Sequence, residues 1–151
     1  MGVPRPNADP NANLYRQLKR DVLGRLPQVT GVEYEPDAVR AQRLRATFAP
    51  GRLDPPTGAE APTLTVEWIR GAARDWFRID YADPNTGLHA GWHQDEDHPE
   101  FGPCHRQVTV SGGPTDYEAF GFDHETPSRR FREVIEDLFG SVVPRIGDAE
   151  A

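Results

Sequence analysis

Three successive runs of this sequence alternate strictly between apolar and polar residues, and short turns join them. In Thr63–Arg70, Leu64, Val66 and Trp68 take one face while Thr65 and Glu67 take the other. In Trp76–Tyr81, Phe77, Ile79 and Tyr81 oppose Trp76, Arg78 and Asp80. In Leu88–Gln94, Leu88, Ala90 and Trp92 oppose His89, Gly91 and His93. A period of two is the signature of a strand with one buried face. The connections GAARD and ADPNTG carry the Gly, Pro and Asn that tight turns use. The three runs therefore predict an antiparallel meander.

The flanking chain supplies helices. Residues 1–12, with three prolines and two asparagines, read as a disordered or loosely attached arm. From Asn13, a fair N-cap, Leu14, Leu18 and Val22 recur at helical spacing, with Tyr15, Leu23 and Leu26 beside them, until Pro27 stops the helix. Val29–Asp37 reads as a linker with short-strand character, and Val39–Phe48 as a strand, because Leu44, Ala46 and Phe48 alternate with Arg43, Arg45 and Thr47. The turn-rich APGRLDPPTGAEAP that follows makes an unusually long hairpin loop. After a loop from Asp95 to Cys104, Gln107–Val110 is a further strand, and Ser111–Glu125 reads as a long loop. Thr126 as N-cap, Pro127 at N1, and Phe131, Val134, Ile135, Leu138 and Phe139 mark a second amphipathic helix closed by Gly140, with 141–151 as a flexible tail. The expected fold class is α+β: one domain over 13–140, a curved antiparallel sheet of about five strands packed with an N-terminal and a C-terminal helix.

A chain of 151 residues makes one domain with an ordinary core. No apolar run approaches the roughly 18 residues of a membrane span, and MGVPRPNADPNAN has no apolar core of a secretory signal. Pro6 stands where myristoylation needs Ser or Thr. Cys104, the only cysteine, cannot form an internal disulfide. A cytoplasmic protein with no membrane partner is the simplest expectation. The net charge of −7 disfavours a nucleic-acid backbone as partner. Lys19 is the only lysine against sixteen arginines, a balance expected either of a halophilic protein or of a GC-rich genome. At molar salt the screening length is about 3 Å, and net charge then says little about partners.

The chemistry is concentrated in Gly87–Val108, which holds four of the five histidines, the cysteine, and the acidic run Asp95–Glu96–Asp97. His89 and His93 share a strand face, but four residues of strand span about 13 Å, too far for one metal ion. Metal binding would need His93, His98, Cys104 and His105 with the loop folded back, at a spacing that matches no standard zinc pattern. No cofactor is expected. The other chemistry is acid–base work on a phosphodiester, with His93 and His105 as proton acceptor and donor and Arg78 or Arg106 stabilising the charge on phosphate. Asp95 or Asp97 would orient an imidazole. A third reading makes these residues exposed polar positions on the outer sheet face, Trp92 a core residue, and the acidic run a solvated turn.

Trp76-Phe77-Arg78-Ile79-Asp80-Tyr81, Trp92-His93, Asp97-His98-Pro99 and Pro103-Cys104-His105 together resemble the TumE-type toxins of prokaryotic toxin–antitoxin pairs, over roughly Thr63 to Phe139. The last element of that family typically has several histidines, whereas this chain keeps His105 with Cys104 before it and Gln107 after it. The resemblance implies a functional face lined by Trp92, His93, His98 and His105, and a cognate antitoxin as partner. Joined to the acid–base reading, this makes RNA or a nucleotide the expected substrate, with His93, His105 and Arg78 in catalytic roles and Trp92, His98, Arg106 and Asp95 in binding roles. The alternatives are a non-enzymatic interaction protein that binds through its acidic loop, and a histidine-held metal.

Overall fold

The structure, a computed structural model, describes residues 10–145. A helix α1 (Pro10–Asp21) precedes seven strands: β1 (Val29–Glu35), β2 (Arg43–Phe48), β3 (Thr63–Ile69), β4 (Trp76–Asp83), β5 (Leu88–Gln94), β6 (His105–Thr109) and β7 (Thr115–Ala119). Helix α2 (Pro127–Asp137) follows and runs on into a π-helical turn, Leu138–Val142. The strands pair in chain order, each antiparallel to the one before, in a single open sheet. The α+β class and the meander agree with the alternation, and so do the helices before and after the sheet. No helix among the described residues is long and apolar enough to cross a membrane.

The sheet has seven strands where about five were expected, and the two additional strands are its edges. An edge strand has one neighbour, so its side chains need not alternate cleanly. Thr115–Ala119 is almost wholly exposed, and Val29–Glu35 is only partly buried and is bulged near Thr30. Their alternation is short and poor in large apolar residues, and it does not become the buried-and-exposed alternation of the central strands. A smaller difference has more chemical weight. Strand β6 begins at His105, two residues earlier than the alternation indicates, and so draws that histidine into the ladder opposite His93.

One continuous core fills the space between the sheet and the helices. Leu44, Ala46, Phe48, Leu64, Val66, Trp68, Phe77, Ile79, Tyr81, Leu88, Ala90 and Trp92 all point into it from the strands. Leu14, Tyr15, Leu18, Phe131, Val134, Ile135 and Leu138 meet them from the helices. Tyr15 ties α1 to the sheet: its hydroxyl accepts from the Trp68 N–H at 2.9 Å and donates to the Gln42 carbonyl at 2.7 Å. The helix begins at Pro10 rather than Asn13, since proline is tolerated in a first turn and the extra turn buries Ala12. Of the arm expected over residues 1–12, the first nine lie outside the described residues. Gly140 does not end the second helix, because the π-turn carries the chain on to bury Val142 and Val143.

A polar cluster sits within this otherwise apolar layer. Arg106 projects from β6 toward α2 and donates to both carboxylate oxygens of Asp137, at 2.9 and 2.8 Å, and to Glu118. The Trp92 indole N–H donates to the same Asp137 at 2.9 Å. Breaking a buried ion pair by removing one partner leaves an uncompensated charge. Asp137→Ala should therefore destabilise the fold by about 3 kcal/mol, measured as a shift of the urea unfolding midpoint. A loss below about 1 kcal/mol, the scale of an exposed pair, would mean that Glu118 alone satisfies Arg106.

Candidate functional site: a histidine face on the open side of the sheet

Residues directly opposed on antiparallel strands share a face. On the side away from the helices, the register lines up Glu67, Arg78, His93 and His105 across β3, β4, β5 and β6. The next row holds Thr65, Asp80, Gly91, Gln107 and Tyr117. Asp80 faces Gly91, and the missing side chain lets its carboxylate lean toward the neighbouring row. Asp80 Oδ1 lies 2.8 Å from His93 Nε2. A Cβ at position 91 would stand 2.6 Å from that oxygen and 2.7 Å from that nitrogen, so the contact requires glycine there.

The imidazoles of His93 and His105 meet edge to face with centroids 5.3 Å apart. The β5–β6 loop folds back over them, and its short 3-10 turn Pro99–Phe101 brings two rings to the sheet. His98 lies 4.8 Å from His105 and 4.6 Å from Tyr117, and Phe101 stacks on Tyr117 at 6.0 Å. Beneath this cover His93 is 6% exposed and His105 1%. His98 stays half-buried at the rim, with Nδ1 3.2 Å from Glu100 Oε1. The Glu100 carboxyl is held below the ordinary carboxylate range, first by its own backbone N–H and then by His98.

Each of the three rings has one nitrogen on an oxygen acceptor: His93 Nε2 on Asp80, His105 Nε2 on Gln107 Oε1 at 3.0 Å, and His98 Nδ1 on Glu100. An acceptor assigns the proton to that nitrogen. The opposite nitrogen of a neutral ring then carries a lone pair, which can accept a proton. The histidines therefore form a compact set of donors and acceptors, with carboxylates orienting two of them, His93 and His98. Among the described residues no three His, Cys, Asp or Glu side chains converge so as to hold a metal ion.

Arg78 stands beside His93 in the same row and is held by two carboxylates of the β5–β6 loop. Its Nε is 3.4 Å from Asp95 and its Nη2 3.2 Å from Asp97. Arg78 and Asp95 also line a small pocket of about 130 Å³ with Ile69 and Trp76.

Four of the residues singled out in the sequence, Arg78, His93, His98 and His105, thus share one face with Asp95 at its margin. Trp92 and Arg106 do not join them. Both lie on the helix side, where Trp92 is fully buried and Arg106 serves Asp137. A strand cannot place adjacent residues on one face, so a face shared by Trp92 and His93 is ruled out by geometry. Cys104 is buried as well, and burial pushes its thiol up to about 12. His89 is exposed and pairs with Thr109, away from the cluster.

Asp80, Gln107, Phe101 and Tyr117 complete the site and were not singled out in the sequence. Asp80 shares the strand face of Arg78, a signal available from alternation alone. Its meeting with His93 needs the β4–β5 register. Phe101 lies in a loop, and the alternation around Tyr117 is too short and too polar to mark a strand.

Gly91→Ala should drive Asp80 and His93 apart and cost about 1–3 kcal/mol, the range for overpacked sites, measured by urea unfolding; an unchanged midpoint would mean the carboxylate moves aside freely. The Cys104 thiol should react with a disulfide reagent at pH 8 at least 100-fold more slowly in the folded protein than in urea. Because its folded pKa is raised, this group favours the folded state fully below the ordinary thiol pKa of about 8.5. That contribution falls as the pH rises from there toward 12, which a pH series of unfolding midpoints reads. No protein-family model, curated protein or solved structure matches the chain.

Proposed function

We propose that the histidine face performs acid–base chemistry on RNA or a nucleotide, as a toxin-like activity in the cytoplasm restrained by a cognate antitoxin protein. The observation that carries this reading is the direct opposition of His93 and His105 across β5 and β6, with Asp80 on His93. Transfer at a phosphodiester needs one group to take the proton of the attacking hydroxyl and another to give a proton to the leaving oxygen. Two imidazoles 5.3 Å apart suit those roles. Arg78, next in the row, supplies the cation for the charge that builds on phosphate. The pocket walled by Ile69 and Trp76 offers a face on which a base can stack.

Access requires the β5–β6 loop to lift. The ion pairs that hold it are partly exposed, with the Arg78 side chain about half exposed, and exposed pairs contribute at most about 1 kcal/mol each. The loop is thus a cover that a substrate can displace.

A second reading is a non-enzymatic module that binds another protein through the acidic loop. The depth of His93 and His105 beneath that loop favours it. The two readings part on one pair of variants. If the face is catalytic, Asp95→Asn with Asp97→Asn frees Arg78 and raises RNA cleavage or growth inhibition. If the loop is a docking element, the same change abolishes capture of the partner and no RNA is cleaved.

The direct test is expression of the protein and assay of the purified chain on RNA. Wild type should slow growth and cleave RNA. His93→Ala with His105→Ala should lower cleavage by roughly 100-fold or more, the usual contribution of acid–base groups, while the unfolding midpoint confirms a folded variant. Cleavage that survives the double substitution would remove the catalytic reading.

A further inference from the structure

At one end of the sheet, on the side that carries the helices, a cleft of about 290 Å³ opens between the β3–β4 turn, the start of β6 and α2. It shares Arg74, Gln94 and Arg130 with an adjoining polar cleft of about 440 Å³. Volumes of this order match those of small-molecule sites. The Arg74 guanidinium lies over the Trp76 ring at 5.6 Å, and that of Arg130 over Phe122 at 4.9 Å. Arg130 Nε donates to the His124 carbonyl at 2.8 Å. Among the described residues neither guanidinium forms an ion pair. The cation–π contacts restrain both guanidinium groups, and a guanidinium held this way loses less freedom when it binds an oxyanion.

The remaining walls are of two kinds. Phe120 and Phe122 are an apolar pair in edge-to-face contact at 5.1 Å, with buried Cys104 at the base. Gln94 is buried, and its amide N–H donates to the Asp75 carbonyl at 2.6 Å, which leaves its Oε1 as an acceptor. The Asp75 carboxylate is occupied by the Trp68 indole, the Gly71 N–H and Arg70. Glu125 lies on the exposed rim. The interior therefore presents two cations, an amide and an aromatic wall.

We propose that this cleft binds a phosphate monoester carrying a flat apolar body, with the phosphate between Arg74 and Arg130 and the body against Phe120 and Phe122. The site lies across the sheet from the histidine face, and Trp76, which backs Arg74, also walls the small pocket beside Arg78 on that face. The two are linked through the backbone, since Gln94 follows His93 and Cys104 precedes His105.

The test is calorimetric titration of the full chain with 5′-AMP, adenosine and inorganic phosphate. 5′-AMP should bind saturably, and each of the other two at least tenfold more weakly. Arg74→Ala with Arg130→Ala should weaken 5′-AMP at least tenfold. Arg74→Ala alone, in an exposed turn, keeps the test valid if the double variant fails to fold, and should also weaken binding. Bound 5′-AMP should slow modification of Cys104 in the wild type and not in the Arg74→Ala variant. Absence of saturable binding, or binding unchanged by Arg74→Ala, would overturn the proposal. So would binding that survives the arginine changes but is lost in His93→Ala with His105→Ala, which would move the ligand to the other face.

Discussion

The register of β4, β5 and β6 is the constraint on which both faces of the molecule depend. A strand sends successive side chains to opposite sides, so a slip of one residue would exchange every core position for an outer one. In the register observed, Ile79, Trp92 and Arg106 fall in one line toward the helices, while Arg78, His93 and His105 fall in the next line toward the open side. The large apolar groups Trp68, Phe77, Ile79 and Trp92 hold that register, because a slip would expose them and bury Arg78 and Asp80. Core packing therefore fixes which polar groups meet on the open face, without any of them needing to stabilise the fold.

The two faces use charge differently. On the helix side, Arg106 is buried, and two carboxylates and the shared Trp92 indole contact surround it. A charge removed from water needs that degree of compensation. On the open side, Arg78 is half exposed and its partners Asp95 and Asp97 come from a loop. Such pairs are weak and salt-dependent. The first cluster belongs to the frame, whereas the second can exchange partners at small cost. That difference is why the open face, rather than the buried cluster, is the one with chemistry available to it.

Glycine at position 91 joins packing to chemistry. Asp80 and His93 are not directly opposed; each faces the other's neighbour across the ladder. They meet only because the residue opposite Asp80 has no side chain. A carboxylate on one imidazole nitrogen sets the tautomer and leaves the other nitrogen basic. The same face gathers His98, Phe101 and Tyr117 around His105, so His93 and His105 lie under an aromatic cover rather than in open solvent.

The spacing of apolar residues by itself determined the α+β class: a period of two for the antiparallel central strands and for the opposite faces of Trp92 and His93, and helical spacing for the two flanking helices. These are local properties, since period and turn chemistry act over a few residues. Of the edge strands, β1 showed only as short-strand character within a linker and β7 was read as loop, because one-sided pairing needs no run of large apolar residues to reveal a strand. Tertiary structure alone decided that His93, His98 and His105 become neighbours, that Asp80 reaches His93 past Gly91, and that Arg106 turns inward to Asp137. Those contacts join residues up to 31 positions apart, and their geometry depends on register and on a loop whose path no periodicity encodes.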